Sequence, residues 1–248
     1  MKANINNIKH LSAILFLIGL VAASCKKDNE VSSAKVTFAF DFTVDGQSLV
    51  FGETYTINDQ KVSFKTANYY MGGLQLQHSD GSTIDLSTQY LLAGLGNTAT
   101  LSSDIPIGSI TSASFFIGVD PVNNTQSENS FVSRPVNDPL SLKDPSMHWN
   151  WNTGYKFVRF DGEVDTDDDG VVDTPIAYHL GSDPLLKNMS INRTLNLESG
   201  DNTITFDFQM EKFFSSVDFK TELDTHTGNN LPLAMRLHGN LEATIALR

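Results

Sequence analysis

The chain holds a single cysteine, Cys25, so no intramolecular disulfide can close within it. Basic residues are few as well: 17 lysines and arginines stand against 29 aspartates and glutamates, a net charge of −12. An acidic surface repels phosphate backbones, which excludes nucleic acid as a partner and favours divalent cations and basic proteins. No apolar run is long enough to span a bilayer; the stretch from Leu11 to Ala23 falls short of the roughly 20 residues a spanning helix needs. The nucleophile, zinc-hydrolase and phosphate-loop signatures G-x-S-x-G, H-E-x-x-H and G-x-x-x-x-G-K are all missing, and the expectation is a protein that is not an enzyme.

The N-terminus is organised for export. Lys2 and Lys9 precede the apolar run, and "AASC" follows it with small residues ending at Cys25. This is a signal peptide over residues 1–24. "AASC" resembles a bacterial lipobox, in which the cysteine becomes the acylated N-terminus, so Cys25 is the expected lipidation site. "KKDNE" after it resembles the surface-export signal of Bacteroidetes lipoproteins. The expectation is a lipid-anchored outer-membrane protein on the periplasmic or cell-surface face. Residues 25–34 form a flexible tether and residues 35–248 a single domain.

Within that domain the dominant period is two. In "KVTFAFDFTVDG", Val36, Phe38, Phe40, Phe42 and Val44 face one way, and Asp45-Gly46 ends the run in a turn. "ITFDFQM" repeats the pattern, "SASFFIGVD" and "YKFVRFDGEV" read as further strands, and "ATIAL" as a last one. "GLQLQHSDGSTIDL" reads as a hairpin around Asp80-Gly81. Helix is scarce, confined to part of "EKFFSSVDFKTEL". The fold expected is all-β, an antiparallel β-sandwich of Greek-key or jelly-roll kind with long loops. One long segment, residues 121–146, carries four prolines and little periodicity; loops of that length are functional or disordered. It leads into "MHWNWNTGY", which holds both tryptophans, Trp149 and Trp151.

"FFIGVDPVNN", "DPSMHWNWNTGYKFVRFDGEV" and "YHLG" together resemble the MbnP-like copper-binding proteins. "VTFAFDFTVDGQSL", "YMGGLQLQHSDGS" and "LLAGLG" fit the same pattern, and "LPLAMRLHGNLEATIAL" resembles the family's C-terminal strands. The resemblance implies an exported β-sandwich that binds copper for acquisition, storage or trafficking. It further implies that Trp149 corresponds to a tryptophan some members oxidise to kynurenine, through a di-haem peroxidase-like partner, and that His179 corresponds to a recurrent histidine. In those members a histidine follows the modified residue by two positions; here that position is Trp151.

Copper takes imidazole and soft sulfur ligands, and a lipidated Cys25 leaves no thiolate. The candidates are therefore His179, His226, His148, His238 and Met147, with Trp149 beside them. On a regular strand His148 and Trp149 would point to opposite faces. A second metal motif needs no resemblance. In "DTDDDGVVD", Asp165, Asp167 and Asp169 alternate, Gly170 stands sixth and Asp173 ninth, the D-x-D-x-D-G spacing of a calcium loop. Carboxylates at positions 1, 3 and 5 wrap the ion, glycine at 6 permits the turn, and the carbonyl of Val171 at 7 adds an oxygen. Position 12 is Ile176, so the motif is not an EF-hand, and Asp161, Glu163 and Asp183 are candidates for a further carboxylate. A different class of function also fits the residues: a cell-surface glycan-binding or adhesion module stabilised by calcium, with Trp149 and Trp151 as a stacking platform.

Overall fold

In the computed structural model, residues 33–94, 98–144, 146–150 and 154–248 are described. The signal segment, Cys25 and Trp151 lie outside the described residues. The expected alternation is realised in β1 (Ser33–Val44), where Val36, Phe38, Phe40, Phe42 and Val44 are buried. The Asp45-Gly46 turn leads directly into β2 (Gln47–Ser48). After β3 (Thr54–Ile57) comes the spine of the molecule, β4 (Gln60–His78). Its 19 residues pair with β3, β5 (Thr83–Leu86), β6 (Leu91–Gly94), β8 (Gly108–Ile117) and β11 (Val158–Val164), with β7 (Thr98–Pro106) pairing instead with β1. The β4–β5 connection is the hairpin expected around Asp80-Gly81.

The long segment is structured rather than open. Helices α1 (Pro121–Asn124) and α2 (Glu128–Val132) are capped by the Asp120 and Ser127 side chains, which accept from backbone N–H groups left free in each first turn. Arg134 donates to Asp138 (2.9 Å) and Gln126 (3.0 Å), and the Tyr155 hydroxyl donates to the Leu140 carbonyl (2.7 Å). Buried Phe131 and Leu140 hold the segment down. It delivers the chain to a small ribbon of β9 (His148–Asn150) and β10 (Gly154–Tyr155).

The remaining elements are β12 (Thr174–Leu180), β13 (Lys187–Leu197), β14 (Gly200–Gln209), α3 (Met210–Phe213), β15 (Asp224–His226), α4 (Leu231–Thr244) and β16 (Ile245–Leu247). One sheet runs β16-β14-β1-β2, with β7 also on β1; the other runs β13-β8-β4-β11-β12-β15. Their inner faces meet through aromatic rings. Phe42 packs on Phe160 at 6.1 Å between centroids, Phe40 on Tyr69 at 6.0 Å, and Phe115 on Phe206 at 5.4 Å. The architecture is a β-sandwich.

Two features differ from the sequence expectation. The sheets are mixed, because β1 pairs with β14 and β12 with β15 in parallel; periodicity reads which face a strand shows, not the direction of its neighbour. The stretch "LPLAMRLHGNLEATIAL" is mostly helix. Asn230 caps α4, Pro232 sits in its first turn, and Leu233, Ala234, Leu237 and Leu241 are buried on one helical stripe, leaving only the last residues to β16.

Candidate metal centre

On β11 and β12, Val158, Phe160, Ile176 and Tyr178 turn into the core, so Arg159, Asp161 and His179 share the outer face. Antiparallel pairing sets His179 opposite Arg159, with Asp161 two residues along. Parallel pairing sets His226 of β15 opposite His179 of β12. Four positions on three strands thus converge on one outer patch, and the β9 segment covers it.

Hydrogen bonds orient the pair. His179 Nε2 lies 2.7 Å from Asp161 Oδ1. Arg159 Nε donates to the other carboxylate oxygen at 2.6 Å. Burial pushes the Asp161 carboxyl up, but the bonds from His179 and Arg159 outweigh it and hold the pKa at about 2. An ionised carboxylate only accepts, so Nε2 of His179 carries the proton and Nδ1 is left with a lone pair. Burial lowers the pKa of His179 against the opposing effect of Asp161, which favours the neutral ring. That lone pair faces His226, with the two Nδ1 atoms 3.0 Å apart. His179 is only 6% exposed, whereas His226 is exposed to solvent.

The Thr227 hydroxyl fastens this corner. It accepts from the Gly181 N–H at 3.0 Å and donates to the His179 carbonyl at 3.2 Å. Gly181 is required by close approach: a Cβ there would stand 2.2 Å from the Tyr155 carbonyl and 3.1 Å from Nε1 of Trp149.

Trp149 packs over both imidazoles, its ring 5.8 Å from that of His179 and 5.9 Å from that of His226. Lys156 lies over the indole at 5.2 Å, so one ring face is already taken. Both Lys156 (3.1 Å) and Arg159 (2.7 Å) donate to the Ser146 carbonyl, pinning the start of the segment that carries Trp149. An open pocket of about 490 Å³, lined by Trp149, Gly181, Ser182, His226, Thr227 and Gly228, leads to the pair.

The other candidates lie elsewhere. His148 leaves the strand on the side opposite Trp149 and sits edge-on against Phe131, at 4.7 Å between ring centroids. Burial, then the charge of Lys156, lowers its pKa. Met147 is 1% exposed within the hydrophobic core, and His238 is on α4. Asp161, read from sequence as a spare calcium ligand, is instead the partner of His179. Its signal was parity, since it shares a face with Arg159, but only the pairing with β12 revealed the contact. Glu163 pairs with Lys65, and Asp183 accepts from Asn124 at 2.7 Å. Thr227 and Gly181 carried no signal beyond their nearness to the two histidines.

Two nitrogens 3.0 Å apart can bind one ion together, because imidazole–metal bonds run about 2.0–2.1 Å. The donor set is imidazole with a carboxylate behind it, an arrangement that fixes tautomer and raises ligand basicity. The arrangement fits a metal that takes nitrogen.

Comparison with known proteins follows the same lines. The MbnP family model matches residues 33–231, a span that includes Trp149, Asp161, His179 and His226. No curated protein matches the chain. Among solved structures, MbnP from Methylosinus trichosporium superposes with a TM-score of 0.52 at 16% identity, over 75% of this chain and 78% of that one. At that identity the likeness shows a shared fold. With its β-sandwich and a family match across most of its length, the chain belongs to the MbnP family.

Proposed function

We propose that the protein binds copper at the His179–His226 pair and that it does so as an exported, lipid-anchored domain. The observation that carries the reading is the facing of two Nδ1 atoms at 3.0 Å, one of them backed by an ionised carboxylate. Burial favours the neutral ring of His179, and Asp161 fixes its tautomer, holding the proton on Nε2 so that Nδ1 keeps the lone pair. His226, exposed at the pocket mouth, gives an incoming ion its first contact. Trp149 covers one side of the pair; an unmodified indole N–H only donates, so the ring in that form is cover and not ligand. Imidazole accommodates either copper oxidation state. The export signal over residues 1–24 and the lipobox-like "AASC" support the location.

Metal analysis tests this directly. The purified protein, reconstituted with copper under reducing conditions and desalted, retains about one copper per chain. Retention of none overturns the proposal.

A further inference from the structure

The connection between β11 and β12 carries a cluster of aspartates, apart from the histidine pair. Asp165, Asp167 and Asp169 place one carboxylate oxygen each within 4.8 Å of one another. Three like charges that close repel and would open the loop, so the cluster alone argues for nothing. The informative group is Asp165. It is 3% exposed, and its Oδ1 is buried without any hydrogen-bond partner, while Oδ2 accepts from the Gly170 N–H at 2.9 Å. A buried carboxylate oxygen left unpaired is costly unless a cation completes it. No ion pair reaches Asp165, Asp167 or Asp169 among the described residues; the nearby Lys220 pairs with Asp168 at 2.6 Å.

The turn that follows Asp165 is held by glycine and by side-chain contacts to the backbone. Gly170 turns the chain at a φ of 92°, a region glycine enters freely. Val171 follows with its N–H on Asp169 Oδ1 at 2.7 Å. Asp173 turns aside to the Thr174 hydroxyl at 3.4 Å.

We infer that this loop binds one calcium ion through Asp165, Asp167 and Asp169, with the Val171 carbonyl as a further oxygen. An all-oxygen donor set selects a hard cation. It suits calcium over magnesium, which demands a tighter octahedron and gives up its water reluctantly. An ion held there would close the β11–β12 hairpin at the end remote from His179.

The test uses the intact, copper-free protein, so that it stands apart from the histidine reading. After treatment with chelator, thermal unfolding is followed with about 10 mM calcium chloride, with magnesium chloride, or with neither. Calcium raises the melting temperature by about 3–10 °C, as expected for a module-type affinity in a domain of this size, and magnesium does so far less. Asp167→Asn with Asp169→Asn, both at exposed positions, removes the rise without endangering the fold. Asp165→Asn, which keeps an acceptor for Gly170, does the same. No rise in the parent overturns the inference, as does an equal rise with magnesium or a rise that survives the double substitution.

Discussion

The His179→Ala protein binds copper at least a hundredfold more weakly than the parent, on the order of loss that exceeds removal of an outer-shell partner. His179 supplies the one nitrogen whose lone pair is fixed in direction, through its Nε2 contact with Asp161. Removing it leaves His226 alone at an exposed edge. His179 is buried, so its loss also leaves Asp161 short of a partner; His226→Ala is the control that spares the fold and still weakens binding. Asp161→Asn weakens binding by about 10–100-fold, because the amide no longer dictates which imidazole nitrogen is protonated. Competition against a chromophoric copper(I) chelator reads all three. Parental affinity in His179→Ala would remove the histidine pair as the site.

The largest loss of stability is expected from Phe160→Ala, at about 3–5 kcal/mol. Phe160 is fully buried on the inner face of β11 and touches rings from both sheets and from α3. Centroid distances are 5.2 Å to Phe208 and Phe213, 5.6 Å to Phe214, 6.1 Å to Phe42 and 6.2 Å to Phe64. Rings on every side cannot collapse into the space together, so the cavity term adds to the lost transfer energy. The variant's urea midpoint falls by about 1–3 M. Because Phe160 alternates with Arg159 and Asp161, the same loss loosens the strand that backs the histidine pair. A drop under about 1 kcal/mol would mean the core relaxes around the gap.

Face alternation made most of the sandwich legible. Val36 to Val44 and Ile204 to Phe208 announced buried faces, and Asp45-Gly46 and Asp80-Gly81 announced turns, because period-two burial and turn chemistry are local properties. Parity also separated His148 from Trp149, and the structure puts them on opposite sides of β9. Partners across strands were not local. Nothing near His179 in sequence names His226 or Asp161; those contacts arise from a parallel and an antiparallel neighbour chosen by the whole core. The helix α4 was hidden for a related reason. Its family likeness suggested strand, while the spacing of Leu233, Leu237 and Leu241 carried the helical stripe. The D-x-D-x-D-G spacing was legible in full, yet the unpaired Asp165 oxygen on which the proposed calcium site rests is visible only in three dimensions.

The parallel pairing of β12 with β15 sets how this sequence can drift. The two histidines are far apart in the chain, and the exposed connections between them can change length without touching the pair, as long as β13 and β14 keep their register and β15 re-enters in step. A slip of one residue along that three-residue strand would turn His226 to the opposite face. The Thr227 hydroxyl, bridging Gly181 and His179, is what locks the step. Changes of length are therefore cheap only in the exposed connections between the histidines, such as Glu198–Ser199 between β13 and β14; they are ruinous within those strands, whose buried faces would flip, and within the few residues from Asp224 to Thr227.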